Sequence, residues 1–399
     1  MILKTTDILL PQGVDFTKWA VIACDQFSSD RAYWARVEAS VGAAPSTLRL
    51  ILPEAYLGDR ADEDFAADIA TNANAYLDGD VFDTLAGAMV YVEREISDGR
   101  VRRGLIAALD LEEYDWTAGS QTRVRASEQT VPERLPPRVT ARRANPLELP
   151  HIMTLIDDKA RAVIEPFAAL RDTLPKLYDC PLTEGGGRVR GYLVSGELAE
   201  RAAQAVEALP GDIKVIIGDG NHSLAAAKAL WNEVRGALSP SEREKHPARF
   251  ALVEVNNVYD DAIDFHAIHR VAFDTDVAAF TAGLESALAG GGGYTVRIVT
   301  ASGESELATS YERIGGLIEA VQSYFDASGA RIDYVHDDEA ARALTTDAGT
   351  VAVMLPDMGK SDFFETVTER GVFPRKSFSI GHARDKRYYV ECRRITKTR

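Results

Sequence analysis

Cysteine is scarce in this chain, and the three that occur, Cys24, Cys180 and Cys392, stand apart with no C-x-x-C pair among them. That pattern excludes a disulfide framework and a cysteine zinc site and fits a reducing compartment. The seven histidines include no H-E-x-x-H helical pair, which ranks metal-assisted hydrolysis last among the chemistries considered. No stretch approaches the ~20 apolar residues that a membrane span needs. The opening Met1–Asp7 has no basic region followed by an apolar signal core, so a soluble cytoplasmic protein is expected. Positive charge is in short supply: 45 Lys and Arg against 61 Asp and Glu leave a net charge of −16. Neutralising a phosphate backbone takes a basic surface, so general binding to DNA or RNA is not expected. Two local basic concentrations, Arg134–Arg143 and Pro374–Arg399, are either solvated faces or partners for a small anion.

What is present is an ordinary globular composition, 46% hydrophobic and 27% charged, in a chain long enough for two domains or one large domain with a lobe. The most informative stretch is Ile213-Lys214-Val215-Ile216-Ile217-Gly218-Asp219-Gly220-Asn221-His222-Ser223. Its β-branched apolar run reads as a buried strand, and Leu224, Ala227, Leu230, Trp231 and Val234 then recur at helical spacing. Gly218 and Gly220 allow a positive φ or close approach of a ligand, while Asp219, Asn221 and Ser223 suit a helix start. Amides at such a start, with about half a positive charge from the helix dipole, make an anion seat. His222 adds a group that donates, accepts or moves a proton near neutral pH. Strand, glycine turn and capped helix also occur without function. The crowding of Asp219, Asn221 and His222 at the carboxyl end of one strand is what points to a ligand.

Elsewhere strand and helix signals alternate along the chain. Trp19–Cys24 reads as an early strand ending at Asp25, before a helix around Ala32–Val41; Asp25 either faces a site or, like Ser28, caps that helix. Asp62–Leu77 has helical spacing. Ala88–Glu95 and Gly104–Leu111 are expected to form a hairpin through Ser97-Asp98-Gly99-Arg100. From Thr122 to Pro150 periodicity fades, predicting a long irregular loop that is either a lid or a solvated surface loop. Strand His151–Asp157, helix Asp158–Arg171, a hairpin of Lys176–Leu182 with Arg188–Val194, and helix Glu197–Leu209 lead to the central stretch. Lys214–Val255 is expected to form one right-handed βαβ unit. After a Gly290–Gly293 turn, Tyr311–Phe325, Arg331–His336 and Asp338–Leu344 suggest a peripheral lobe. Gly359-Lys360-Ser361 is not a P-loop, because the earlier glycine position holds Met354 inside a strand, Thr350–Leu355. Lys386–Ile395 reads as a final strand.

The Gly218–Ser223 turn resembles the Asp-Gly-His-His-Arg signature of the domain of unknown function family 1015 (DUF 1015), itself similar to the ParB/sulfiredoxin-like fold. Asn221 stands where the first His is usual, and Ser223 where Arg is usual. Other segments resemble the family in the same order. Asp25 matches an aspartate ending an early strand. Glu128, Thr130, Glu133 and Arg138 match a His-Glu-x-Thr run followed by Pro-Glu and Arg, with Ser127 in place of the His. His269 and Arg270 match a Thr-His-Arg, and Lys376 and Ser377 a closing Pro-x-Lys-Ser. The resemblance implies an α/β (or α+β) mixed sheet: a ParB/sulfiredoxin-like core over residues 1–272, an appended α/β lobe over 273–370, and a C-terminal motif and strand over 371–399 returning to the core.

In that wider group a glycine-led turn at a helix start holds nucleotide phosphates, and the group includes a free serine kinase and nucleotide hydrolases. The implied function is nucleotide-dependent phosphoryl transfer to a small molecule, with ATP, ADP or CTP and Mg²⁺ as ligands. Gly218, Gly220, Asn221 and Ser223 would seat phosphates; Arg270, Lys376 and Ser377 would contact them. Glu128 or Asp219 would hold Mg²⁺ or take a hydroxyl proton, and His222 would donate or relay one. Asp25, Thr130, Arg138 and His269 are further candidates. Ser223 in place of Arg removes a bidentate phosphate donor, which leaves open a nucleotide-binding module without turnover. A metal-assisted hydrolase using His222, Asp219 and Glu128 is the third reading.

Overall fold

Apolar runs on either side of an Asp-Gly turn form a central hairpin of the sheet that carries the site. Phe82–Glu95 and Val101–Asp110 run antiparallel, with Val90 opposite Ile106 and Glu95 opposite Val101. At the tip Gly99 takes φ +85° and Asp98 accepts the Arg100 amide at 2.9 Å, the geometry that Asp-Gly favours. The computed structural model describes residues 1–117 and 119–396, so the last three residues of the basic Pro374–Arg399 stretch lie outside the described residues.

The chain forms two units, residues 1–126, 130–263 and 382–399 in the first and residues 127–129 and 264–381 in the second. The first is built on a ten-stranded mixed sheet. Its order is Val124–Arg125, Val215–Asp219, Met153–Ile156, Phe250–Asn257, Val101–Asp110, Phe82–Glu95, Arg188–Ser195 and Lys176–Pro181. Two short strands from the opening residues, Leu3–Lys4 and Thr6–Pro11, pair onto the central hairpin. Successive residues of Phe82–Glu95 face opposite cores: Met89 and Tyr91 join Leu224, Ala227 and Trp231 on one side, and Val90 and Val92 join Trp19, Trp34 and Tyr389 on the other. Both faces are covered over Ala88–Val92, which is why that part of the strand is apolar at every position and not alternating. Each fully buried aliphatic or aromatic side chain adds roughly 1.5–3 kcal/mol of transfer free energy. The helix Asn221–Arg235 lies on this sheet through Leu224, Ala227 and Trp231, and Ala225 and Ala226 pack against Leu135 and Val139 of the helix Leu135–Ala144.

Several expectations are corrected. Trp19–Cys24 is not a strand: Phe16–Trp19 is one helical turn, the Trp19 indole donates to the Val390 carbonyl, and only Ile22 makes a bridge, to Tyr388. The helix Arg31–Val41 is capped by Asp30, which accepts the Tyr33 amide, so neither Asp25 nor Ser28 is its cap. The expected irregular segment 122–150 contains the helix Leu135–Ala144, with Pro136 and Pro137 in its first turn, where no amide is needed for the ladder. Conversely, Asp158–Arg171 is helical only over Glu165–Leu170, because the Asp158 carboxylate takes the amides of Ala162 and Val163 and holds a loop. The expected βαβ unit is absent. Val215–Asp219 is antiparallel to Met153–Ile156, which is parallel to Phe250–Asn257, so the first and last strands run in opposite directions with another between them. The added turns Pro240–Lys245 and Pro247–Arg249 bring the chain back reversed.

The final strand shrinks to Arg393–Arg394, paired with Leu147–Glu148. Before it the backbone makes only isolated bridges, Tyr388 with Ile22 and Cys392 with Leu9, and buried ion pairs join them: Arg387 is buried between Glu254 and Glu391, and Arg393 bonds Glu148 at 2.6 Å. Part of the basic C-terminal stretch is therefore core and not a solvated or ligand-facing surface.

The second unit has its own sheet, ordered Gly303–Ala308, Thr295–Thr300, Val351–Met354, His269–Phe273 and Arg331–Val335. Gly290–Gly293 is the turn between helix Val277–Leu288 and strand Thr295–Thr300. Phe265, Phe363, Phe373 and Phe378 form an aromatic cluster. Asp362 accepts the Gly359 amide at 3.1 Å and so caps the helix Lys360–Arg370 from within. Among the described residues no helix is long and apolar enough to cross a membrane.

Candidate functional site

The Gly218–Ser223 turn is shaped by two different uses of glycine. At Gly218 the strand register slips: Ile217 faces Thr154 while Asp219 faces Met153. Such a bulge bends a strand and re-aims the next side chain, here Asp219. Gly218 itself is not in the left-handed region; Gly220 is, at φ +83°. A Cβ on Gly220 would lie 3.1 Å from Ile152 Cα and 3.2 Å from its Cγ1, so only glycine fits. Helix Asn221–Arg235 follows with no side-chain cap on its first turn, and the amides of Ser223 and Leu224 return to the Gly220 carbonyl at 3.0 and 3.1 Å.

Asp219 Oδ2 lies 3.1 Å from Lys386 Nζ, and its Oδ1 accepts the Gly220 amide at 2.9 Å. Burial alone would raise this carboxyl, but the Lys386 ammonium, aided by His151 and the Gly220 amide, outweighs burial and holds it below the usual carboxylate range. Asn221, half-buried, is the first residue of the helix. His222 is different in kind. Its Nε2 accepts the Val131 amide at 3.2 Å, and burial with the nearby cations Arg138 and Arg134 pushes its pKa down to about 4, against a smaller opposing pull from Asp25. The ring is therefore neutral at pH 7. Asp25, Arg138 and His222 are thus gathered, Arg138 being held by an ion pair with Glu54. The Thr130 hydroxyl beside Val131 is buried with no hydrogen-bond partner among the described residues.

Sequence reasoning missed three residues here. Ser223 Oγ is 2.8 Å from His151 Nε2, His151 Nδ1 is 2.7 Å from the Tyr389 hydroxyl, and the Cys24 amide donates to that hydroxyl at 3.1 Å. His151 read only as the start of a strand, and Lys386 and Tyr389 only as part of a basic terminal stretch and a final strand. No local spacing signals them, because they meet the turn through the fold. Cys24, His151, Ser223 and Tyr389, with Arg138, line a cavity of about 160 Å³. Burial, reinforced by Asp25, pushes the Cys24 thiol up to about 11, so it is no ready nucleophile.

The remaining candidates belong to the second unit. Glu128 bridges to Phe373 and accepts the Ser377 amide at 3.3 Å, while the Ser377 hydroxyl donates to the Pro374 carbonyl at 2.5 Å. Lys376 is exposed, with a left-handed φ of +59°. Arg270 is fully buried, stacked over Tyr334 at 5.2 Å and bonded to Gln322 at 3.3 Å and to the Ile268 carbonyl, with Nη2 lacking a protein partner. Burial lowers its pKa to about 10, against the pull of Tyr334 and Glu128. His269 Nδ1 accepts the Leu355 amide at 3.2 Å, which leaves Nε2 to donate to Asp338 at 2.8 Å. Both its nitrogens are thus engaged within the second unit. Among the described residues no three or more His, Cys, Asp or Glu gather as a metal site.

Fold and site thus define a mixed α/β protein with a bulged strand, a left-handed glycine and an ion pair at the head of one helix. The chain belongs to the family described as protein of unknown function (DUF1015), whose model matches residues 9–358. No curated protein matches it. Among solved structures it is similar to SbnI with C-terminal truncation from Staphylococcus aureus, at TM-score 0.38 and 10% identity over 69% of this chain and 82% of that one. It is similar also to a free serine kinase in complex with AMP, at TM-score 0.38 and 11% identity over 73% and 92%. A conserved hypothetical protein from Pyrococcus furiosus gives TM-score 0.33 and 12% identity over 73% and 92%.

Proposed function

We propose that the first unit is a ParB/sulfiredoxin-like core that binds a nucleotide by its phosphates at the Gly218–Ser223 turn and serves phosphoryl transfer to a small molecule. The observation that carries this reading is the Asp219–Lys386 pair beside left-handed Gly220, at the head of a 15-residue helix with no side-chain cap. First-turn amides and the helix dipole favour an anion, and a lysine ammonium is a compact phosphate partner. Asp219, kept ionised, suits a Mg²⁺ that takes one or two protein carboxylates and draws its other ligands from phosphate and water. A bound nucleotide would supply the phosphoryl group, and Mg²⁺ would offset its charge. Asp219 or Glu128 would then take the proton of the attacking hydroxyl. Arg270, Lys376 and Ser377 are included on the resemblance to the family.

One observation favours a second reading, binding without turnover. His222 spends Nε2 on the Val131 amide and resists protonation, so it is poorly suited to donate a proton at pH 7. Metal-assisted hydrolysis gains nothing, since among the described residues no three His, Cys, Asp or Glu gather as a metal site. The test is the melting temperature of the full chain with Mg²⁺ and ATP, ADP or CTP. A rise that Asp219→Ala or Lys386→Met abolishes supports nucleotide binding; no rise at millimolar nucleotide refutes it. Accumulation of ADP or a phosphorylated product, with L-serine tried first, then separates the enzyme from the module.

A further inference from the structure

The 160 Å³ cavity of the first unit is lined mostly by Leu, Ile, Pro and Ala side chains, including Leu50, Leu52, Ile69 and Ala226. One water needs roughly 10–15 Å³ counted in the same way, so a body of several carbon atoms fits. Its polar lining is organised. Arg138 is paired with Glu54, and Glu148 is shared by Arg142 and Arg393, so each of these cations already has a carboxylate partner. What remains is the Tyr389–His151–Ser223 chain, and its direction can be worked out. Burial raises the Tyr389 phenol far above its usual range, so it keeps its proton. Its oxygen accepts the Cys24 amide, and of the two acceptors beside its hydrogen, the Cys24 sulfur and His151 Nδ1, the ring nitrogen is the stronger, at 2.7 Å. The ring's hydrogen then sits on Nε2 and points to Ser223 Oγ. Ser223 is thereby an acceptor from His151, and its own hydrogen has no other partner among the described residues. Three hydrogen bonds in one sense polarise one another, and the terminal donor is on the cavity wall.

We propose that this cavity binds a small, uncharged, largely hydrocarbon molecule through one oxygen acceptor, such as an amide or ester carbonyl, taken by the Ser223 hydroxyl. The same direction argues against Ser223 as a His-activated nucleophile, since His151 donates to it and has no lone pair for its proton. Few polar groups in an apolar wall is the usual make-up of a small-molecule site. The site stands on cavity and hydrogen-bond geometry and does not require the nucleotide reading.

The probe is 4-methylpentanamide, titrated calorimetrically into the full chain, with 4-methylpentanoate and 2-methylpentane as comparisons. Expected are binding of the amide, weaker binding of both comparisons, and a loss of about five- to tenfold with Ser223→Ala. Leu52→Trp, which fills the cavity from a half-buried position, should abolish binding. Tyr389→Phe, which lets His151 turn its hydrogen to Nδ1, should weaken binding as Ser223→Ala does and serves if that variant fails to fold. No binding to the wild type at millimolar amide, binding unchanged by Leu52→Trp, or tighter binding of the carboxylate or the hydrocarbon would overturn the proposal.

Discussion

Acidification from neutral pH should destabilise this protein through His222, and the effect can be isolated. Folding moves the ring from its ordinary value of 6.5 to about 4, chiefly by burial and then by Arg138 and Arg134. A base whose folded pKa is depressed contributes nothing above 6.5, where both states are neutral. As pH falls below that value the unfolded chain takes a proton that the folded one refuses, so stability drops until the folded ring titrates near 4. The whole window is worth at most about 3.4 kcal/mol at 1.36 kcal/mol per pH unit. Screening of this partly solvated ring reduces that to about 1–2 kcal/mol. Urea unfolding of wild type and His222→Gln, at about pH 7.5 and about pH 5, should show the wild type losing about 1 kcal/mol more than the variant. Glutamine retains an acceptor for the Val131 amide, so the comparison removes the titration and keeps the contact. Equal losses in the two proteins would mean that the ring is not held in this cationic, partly buried setting.

Other outcomes follow from neighbouring geometry. Gly220→Ala adds a Cβ against Ile152 at a left-handed φ and should lower stability by about 1–3 kcal/mol in chemical denaturation while removing any nucleotide-induced melting shift. Lys386→Met leaves Asp219 without its cation. It should cost about 1–3 kcal/mol at neutral pH, and the variant should lose less on acidification, since a depressed carboxyl stabilises above its unfolded pKa and loses that contribution as pH falls through its folded one. Glu254→Gln unbalances the buried group of Arg102 and Arg387 with Glu254 and Glu391 and should cost about 3–5 kcal/mol, with the loss read from the urea midpoint.

Local chemistry was legible and long-range pairing was not. The Asp98-Gly99 hairpin, the strand into Asp219 and the helix from Asn221 follow from turn chemistry and periodicity, and the structure has all three. The sense of Val215–Asp219 relative to Phe250–Asn257 was not legible, because Met153–Ile156 inserts between them and the connection is long enough to reverse. Trp19–Cys24 has strand composition, but its apolar residues are anchored by the indole of Trp19 and not by a ladder. The hardest case is the C-terminal stretch. Its arginines read as surface, yet Arg387 and Arg393 are buried because glutamates from distant strands neutralise them. The same stretch delivers Lys386 to Asp219 and Tyr389 to His151. The turn at 218–223 was visible from its own residues, while the groups that give it charge and direction came from far along the chain.

The central claim is that nucleotide phosphates sit at the head of the Asn221–Arg235 helix. A crystal structure of the full chain grown with Mg²⁺ and ADP measures this directly. The account predicts phosphate oxygens within hydrogen-bonding distance of the first-turn amides and of Lys386 Nζ, with the metal on Asp219. Nucleotide bound elsewhere on the chain, or none bound at saturating concentration, would contradict it.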